Sequence, residues 1–330
     1  MKFSDIIGHK ENVDMLKSMV INGRLPHAML FTGPEGTGKR LCACAVAASL
    51  NCLEPAEGEP CGKCASCTRL ACGNQPLVSF VGSLKKEEEI KIETPSGGVL
   101  IKNLVPSSSD GEKRTVKLSI KQVQEVIRLA SLKGYRDGKK VFIFDDTADA
   151  SLPAMQSMLK VLEEPPPATY FILVTNREVS LLPTIRSRCQ RVEFLPLNRS
   201  DMGRFIEERL PRARSAPEAV EAASGSPGRL TRYVNARKVL LSNVPPEDFF
   251  SEVSDWISCK DPDEPDLEEK MMMLLEIEAA SFRKSPGEEN CRRVIIIEDA
   301  LRDLRKNANA DLVVSDMFLK LGAVDLGQVN

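Results

Sequence analysis

The sequence predicts an α/β protein: a parallel, doubly wound sheet carrying a phosphate-binding loop, followed by helices alone. Three observations carry this. Short apolar runs alternate with helical patterns as far as Phe194, and such alternation builds a parallel sheet covered on both faces. A glycine-rich loop, Gly33-Pro34-Glu35-Gly36-Thr37-Gly38-Lys39-Arg40, lies between one such run and a helix. After Leu195-Pro196-Leu197 no strand signal remains.

Lys10 to Ile21 places Val13, Leu16, Met19 and Val20 on one helical face. Ala28-Met29-Leu30-Phe31-Thr32 reads as a buried strand, and the Ala- and Leu-rich stretch Leu41 to Leu50 as a helix. The loop between them thus sits at a helix N-terminus, where anions are favoured. A strand-like run, Leu77 to Val81, follows. Residues 82–116 read as an insertion, a solvated and partly disordered hairpin or loop containing Lys85-Lys86-Glu87-Glu88-Glu89 and Ser107-Ser108-Ser109. Ser119 to Ser131 resumes helical spacing, and Lys140 to Phe144 is a strand ending in Asp145-Asp146. A helix from about Pro153 to Leu162 stops at Glu163-Glu164-Pro165-Pro166-Pro167. Tyr170 to Thr175 and Gln190 to Phe194 are the last strands. Helices resume at Met202, Phe205, Ile206 and Leu210, punctuated by Pro211 and Pro217. A break at Asn243-Val244-Pro245-Pro246 opens a final helical segment with apolar faces at Met271 to Ile277 and Val294 to Leu304.

A length of 330 residues suits two or three domains. Hydrophobic residues make up 42% and charged residues 28%, as in an ordinary soluble protein. The net charge of −2 gives no global footprint for nucleic acid, so any DNA contact is local or shared with partners. The chain opens on Met1-Lys2-Phe3-Ser4-Asp5 without a signal-peptide core, and no apolar run approaches membrane-spanning length. The expectation is a cytoplasmic protein.

In the phosphate-binding pattern G-x-x-x-x-G-K-[ST], loop amides cradle phosphate, the Lys reaches the outer phosphates and the terminal hydroxyl ligates Mg²⁺. Gly33, Gly36, Thr37, Gly38 and Lys39 can hold phosphate, but Arg40 replaces the Mg²⁺ ligand. A cation does not coordinate a cation. The expectation is weak, Mg²⁺-insensitive binding of ATP or ADP, or none. Asp145-Asp146 matches the acidic end of a Walker B strand, with Asp146 one methylene shorter than the Glu that orients water in hydrolytic proteins.

Ten cysteines in such a chain point to metal rather than disulfides. Cys52, Cys61, Cys64 and Cys67 form a C-x8-C-x2-C-x2-C array, expected to bind one structural Zn²⁺ tetrahedrally. Cys72 lies just beyond and could compete as a ligand. Cys42, Cys44, Cys189, Cys259 and Cys291 fall in apolar or helical contexts and read as core.

Three further segments carry a resemblance. Thr175-Asn176-Arg177 through Ile185-Arg186-Ser187-Arg188-Cys189 resembles the sensor 1 to S-R-C segment of clamp-loader AAA+ subunits. Lys160-Val161-Leu162-Glu163-Glu164-Pro165-Pro166 resembles their L-K-x-L-E-E-P-P segment, and the cysteine array their zinc module. The chain is similar to the delta-prime and gamma/tau subunits of bacterial DNA polymerase III, over residues 1–240 apart from the insertion. The resemblance implies an AAA+ domain at 1–195 with a zinc module at 52–67, a helical lid at 196–242 and a C-terminal helical collar at 243–330. It further implies a hetero-pentameric ring with gamma/tau and delta subunits, acting on a sliding clamp and primer-template DNA.

Arg40 and Asp146 depart from the gamma/tau motors, while Ser187-Arg188-Cys189 is complete. That combination resembles the delta-prime branch, a non-hydrolysing stator whose arginine finger, here Arg188, acts at a neighbour's ATP site. A motor subunit of the gamma/tau kind is the alternative. Family motifs also place Asn176 at sensor 1, Arg229 in Gly225-Ser226-Pro227-Gly228-Arg229 near sensor 2, and Ile6, Ile7, Gly8 and His27 around an adenine.

Overall fold

The computed structural model describes residues 2–73, 75–82, 90–94, 97–101, 118–132, 138–241, 267–306 and 308–325. They fall into two compact units, 1–197 and 198–330.

The first unit is built on a parallel sheet of five strands. These are β1 (Ala28–Thr32), β2 (Val78–Val81), β5 (Lys140–Phe144), β6 (Thr169–Thr175) and β7 (Gln190–Glu193), in the order β2-β5-β6-β1-β7. The three central strands, β5, β6 and β1, read as nearly continuous apolar runs because both faces are buried, whereas the edge strand β7 exposes Gln190, Arg191 and Glu193. Along β1, Met29 and Phe31 enter one cluster with Val13 and Leu16 of α1 (Lys10–Ile21) and Cys42 and Val46 of α2 (Lys39–Asn51). Ala28 and Leu30 enter a second cluster with Val123 and Val126 of α4 (Ile120–Ser131) and Met155 and Met158 of α5 (Leu152–Glu163). Alternate residues of β5 and β6 divide in the same way, as a period of two requires.

Local chemistry fixes the helix ends. Ser119 accepts from the Gln122 amide at 3.4 Å while the Gln122 side chain accepts from the Ser119 amide at 2.8 Å, a reciprocal cap on α4. At the other end of α4 the Lys140 ammonium donates to the carbonyls of Leu129 and Ala130 at 3.0 and 2.9 Å, and to that of Leu132. The triple proline after Glu164 terminates α5.

A short helix, α3 (Ala65–Ala71), closes the cysteine segment, and α6 (Pro183–Arg186) starts on a proline. Neither stands out in sequence, being too short for a periodic signal. Within the insertion, β3 (Ile90–Thr94) and β4 (Gly97–Ile101) pair antiparallel with Ile92 opposite Val99, in a sheet of their own. The disorder expected elsewhere in 82–116 falls outside the described residues.

The second unit is helical: α7 (Arg199–Arg209), α8 (Pro217–Ala222), α9 (Pro227–Leu241), α10 (Leu267–Lys284), α11 (Glu288–Arg305) and α12 (Ala310–Asp325). Helix α10 serves two clusters. Met273, Ile277 and Ala280 pack with Ala219, Leu230 and Tyr233, whereas Met271 and Leu274 pack with Ile297, Leu301, Val314 and Met317. A bidentate pair, Arg293 Nε and Nη2 with the two Glu278 oxygens at 3.0 and 2.9 Å, ties α11 to α10. The lid-to-collar boundary expected at 242/243 falls outside the described residues.

Burial corrects one cysteine assignment. Cys42, Cys44 and Cys189 are core residues, but Cys291 is exposed. It lies in the first turn of α11 among Glu288, Glu289 and Arg292, the polar beginning of an otherwise apolar pattern. Cys259 lies outside the described residues. No helix among the described residues is long and apolar enough to cross a membrane.

Candidate functional site

The phosphate loop leaves the carboxyl end of β1, and its backbone requires glycine. Gly33, Gly36 and Gly38 have φ of 141°, 72° and 96°, values that side chains resist. A Cβ on Gly33 would lie 2.0 Å from the Phe194 carbonyl oxygen, so the backbone just past β7 also forbids a side chain there. Lys39 is buried beneath the loop, and its Nζ donates to the carbonyls of Gly33 at 2.8 Å and Pro34 at 2.5 Å. Burial holds its ammonium below the usual lysine range, while Glu35, Asp145 and Asp146 oppose that shift. Thr37 Oγ1 donates to the Pro34 carbonyl at 2.9 Å, closing the turn.

Parallel register brings Asp145, Asp146 and Asn176 to the same sheet edge as the loop, since β6 lies between β5 and β1. Arg40 Nη1 stands 3.3 Å from Asp145 Oδ2, and its guanidinium lies over the Phe80 ring with its carbon 5.4 Å from the centroid. A P-loop protein holds Mg²⁺ with its Ser/Thr hydroxyl and a Walker B carboxylate. Here the chain's own cation engages that carboxylate, and the donor set does not fit Mg²⁺. Asp146 is exposed, with a left-handed backbone at φ 48°. Asn176 is exposed just past β6.

His9 is the loop contact that sequence reading missed. Its Nε2 meets the Thr37 carbonyl at 2.8 Å, and its ring packs edge-on against Phe194 with centroids 4.9 Å apart. The signal available was Gly8-His9 just ahead of α1, both of which take positive φ. His27, by contrast, precedes β1 at the end of the strand remote from the loop, and its Nε2 bonds the Leu162 carbonyl at 3.0 Å. It does not flank the phosphate site.

Arg188 is held at the junction of two helices. Its Nη2 lies 2.6 Å from Glu163 Oε1 at the end of α5, and its Nη1 donates to the Thr184 carbonyl of α6 at 2.9 Å. The neighbouring Cys189 is buried in the sheet core and anchors the segment. Arg229 is placed within the helical unit: its Nη2 donates to Glu276 Oε2 of α10 at 2.6 Å, and it also bonds the Tyr233 hydroxyl.

The four array cysteines come together. The sulfurs of Cys52, Cys61, Cys64 and Cys67 all lie within 4.8 Å of one another, with Cys52 and Cys64 at 4.0 Å. Tetrahedral thiolate ligation of zinc at about 2.3 Å sets sulfur–sulfur edges near ~3.8 Å, so the cluster fits a metal. Amides point at the sulfurs: Cys61 N donates to Cys52 Sγ at 3.2 Å and Cys64 N to Cys61 Sγ at 3.3 Å. Hydrogen bonds from the Cys67 and Leu53 amides draw the Cys64 thiol down to about 6, whereas burial pushes Cys67 up to about 12. Binding of a cation by such a cluster is accompanied by loss of the thiol protons. The module is anchored by Ser49 Oγ donating to the Gly58 carbonyl at 2.5 Å and by an ion pair of Lys17 with Glu59 at 2.6 Å. Exposed Cys72 stands outside this group.

A family profile described as "DNA polymerase III, delta subunit" matches residues 8–198. DNA polymerase III subunit delta' of Bacillus subtilis is 33% identical over 198 residues, 59% of this chain and 49% of that protein. Subunit tau of the same organism is 30% identical over 193 residues, 58% of this chain and 29% of that protein. The chain thus spans about half the length, or less, of these relatives. A solved structure of a gamma subunit-related protein from Thermotoga maritima superposes with a TM-score of 0.52 at 14% identity, covering 94% of this chain and 99% of that one. That likeness concerns the fold alone, a parallel sheet followed by helices. The family match extends over more than half of the chain and ends within a residue of the first compact unit; the chain belongs to the DNA polymerase III delta-subunit family.

Proposed function

We propose that this chain is the non-hydrolysing, delta-prime-like stator of a DNA polymerase III clamp loader. The observation that carries the reading is Arg40 Nη1 at 3.3 Å from Asp145 Oδ2. The carboxylate that a motor subunit devotes to Mg²⁺ is engaged by the chain's own guanidinium. With Asp146 too short for the water-orienting role, the loop is expected to hold ATP or ADP weakly and without Mg²⁺, or not at all.

What the chain contributes to catalysis is Arg188. At a subunit boundary its guanidinium would stabilise charge on the γ-phosphoryl of a neighbour's ATP, an effect worth roughly 10³ to 10⁵ in rate in well-studied systems. The partners are gamma/tau and delta subunits in a hetero-pentamer, with the sliding clamp and primer-template DNA reached through the complex in the cytoplasm. The cysteine cluster holds a structural Zn²⁺, because four thiolates fill its shell and leave no open position. A gamma/tau-like motor is the second reading. It draws on the intact loop glycines, on Lys39 seated beneath them and on the 30% identity to tau.

The test compares two variants in a loader reconstituted with gamma/tau and delta proteins. Arg188→Ala is expected to assemble yet lose most clamp- and DNA-stimulated ATPase and clamp loading, and Lys39→Ala far less. Equal losses, or robust Lys39-dependent ATPase from the isolated chain, would reverse the assignment in favour of the motor.

A further inference from the structure

The contact between Arg188 and Glu163 has a consequence of its own. An arginine on the surface has many rotamers open to it, and a guanidinium acts on a distant phosphate only if it is already aimed. Glu163 is well placed to aim it. It is the last residue of α5, and Glu164 leaves the helix at φ −124° before three prolines, so the backbone that carries its side chain is fixed at the helix end. The Arg188 amide bonds the Ile185 carbonyl at 3.1 Å, which fixes the base of the arginine.

Glu163 and the Thr184 carbonyl then take one end nitrogen each, at 2.6 and 2.9 Å. A guanidinium has five N–H donors in a rigid plane, so these two bonds set the plane and leave the remaining donors for a ligand. Both partners are negative or dipolar, and the carboxyl end of α5 adds its own partial negative charge. The pair is half exposed, with side-chain accessibilities of 35% for Arg188 and 49% for Glu163. Exposed pairs of this kind contribute little to stability. Such a contact orients the arginine without competing strongly against a multiply charged phosphate.

We propose that Glu163 is a positioning residue that aims Arg188 at the neighbouring subunit's nucleotide. The inference rests on the trans-acting role of Arg188 given above. Glu163 itself touches no phosphate and acts only through the arginine.

The experiment uses the full reconstituted loader and measures clamp- and DNA-stimulated ATPase with Glu163→Ala, Glu163→Gln, Arg188→Ala and the Glu163→Ala/Arg188→Ala double variant. Loader assembly is checked by gel filtration and the fold of the chain by its melting temperature. Glu163→Ala should assemble and melt like wild type but lower kcat by up to about fivefold, part of the finger's full effect, with KM for ATP within about twofold. Glu163→Gln should restore most of the rate, because its amide oxygen can accept the same bond. The double variant should be no slower than Arg188→Ala alone. A wild-type rate for Glu163→Ala beside a defective Arg188→Ala would overturn the positioning role while leaving the finger intact. A further loss in the double variant would show Glu163 acting independently of Arg188. An inert Arg188→Ala would instead remove the trans-finger reading itself.

Discussion

Replacing Arg40 by serine should convert an Mg²⁺-blind loop into an Mg²⁺-dependent one. The cost to the fold is small. The Arg40–Asp145 pair is 3.3 Å long with the arginine side chain 64% exposed, so it contributes about 0.2–1 kcal/mol. Contact with the Phe80 face adds about 0.5–1 kcal/mol. Arg40→Ser therefore lowers stability by no more than about 2 kcal/mol, and the sheet beneath is unaffected. What it releases is the Asp145 carboxylate, and it supplies the hydroxyl that the pattern lacks. Those two groups are the protein ligands for Mg²⁺ in P-loop proteins. Calorimetry with ATP is the assay, run with Mg²⁺ and with chelator. Wild type should show weak binding that does not respond to Mg²⁺, or none. Arg40→Ser should bind at least about tenfold more tightly with Mg²⁺ than without, a change of about 1.4 kcal/mol. Hydrolysis should stay at background, because Asp146 is unchanged. Tight, strictly Mg²⁺-dependent binding by the wild type, or an Arg40→Ser loop still indifferent to Mg²⁺, would refute the blocking role of Arg40.

Two more expectations follow from the same unit. Cys61→Ser should abolish binding of about one zinc per chain, measured by metal analysis, and unfold residues 52–67 while the sheet remains folded; a fully folded, zinc-free wild type would contradict it. Gly33→Ala should destabilise the first unit by about 2–4 kcal/mol, because the methyl group meets the Phe194 carbonyl in a backbone that already favours glycine. A urea midpoint unchanged from wild type would show that the backbone at Phe194 yields more easily than its buried side chain suggests.

Most of the first unit was legible in its sequence because its central strands are buried on both faces. Uninterrupted runs such as Ala28–Thr32 and Lys140–Phe144 arise where both sides of a strand need apolar residues. The cysteine array was legible through spacing alone. Pairings across the chain were not. Arg40 could be read as a wrong residue for Mg²⁺, but its partner stands 105 residues away and arrives only through the order β5-β6-β1. The same holds for His9 on the loop and Glu163 on Arg188, each joined by folding rather than by period. Cys291 misled because periodicity identifies a helix more reliably than it identifies which turn is exposed.

The two departures at the loop arise on different elements, Arg40 in the first turn of α2 and Asp146 just past β5. Arg40 is paired with Asp145, a bond within the first compact unit. On the proposed stator reading, either departure alone is compatible with a working ATPase, whereas the two together favour a loop that does not respond to nucleotide. Arg188 differs in kind. Its bonds leave donors free and are weak enough to be supplemented by a phosphate. An arrangement with its own phosphate site internally engaged and its arginine aimed outward is suited to completing another subunit's site, and that asymmetry is what the paired Lys39 and Arg188 variants measure.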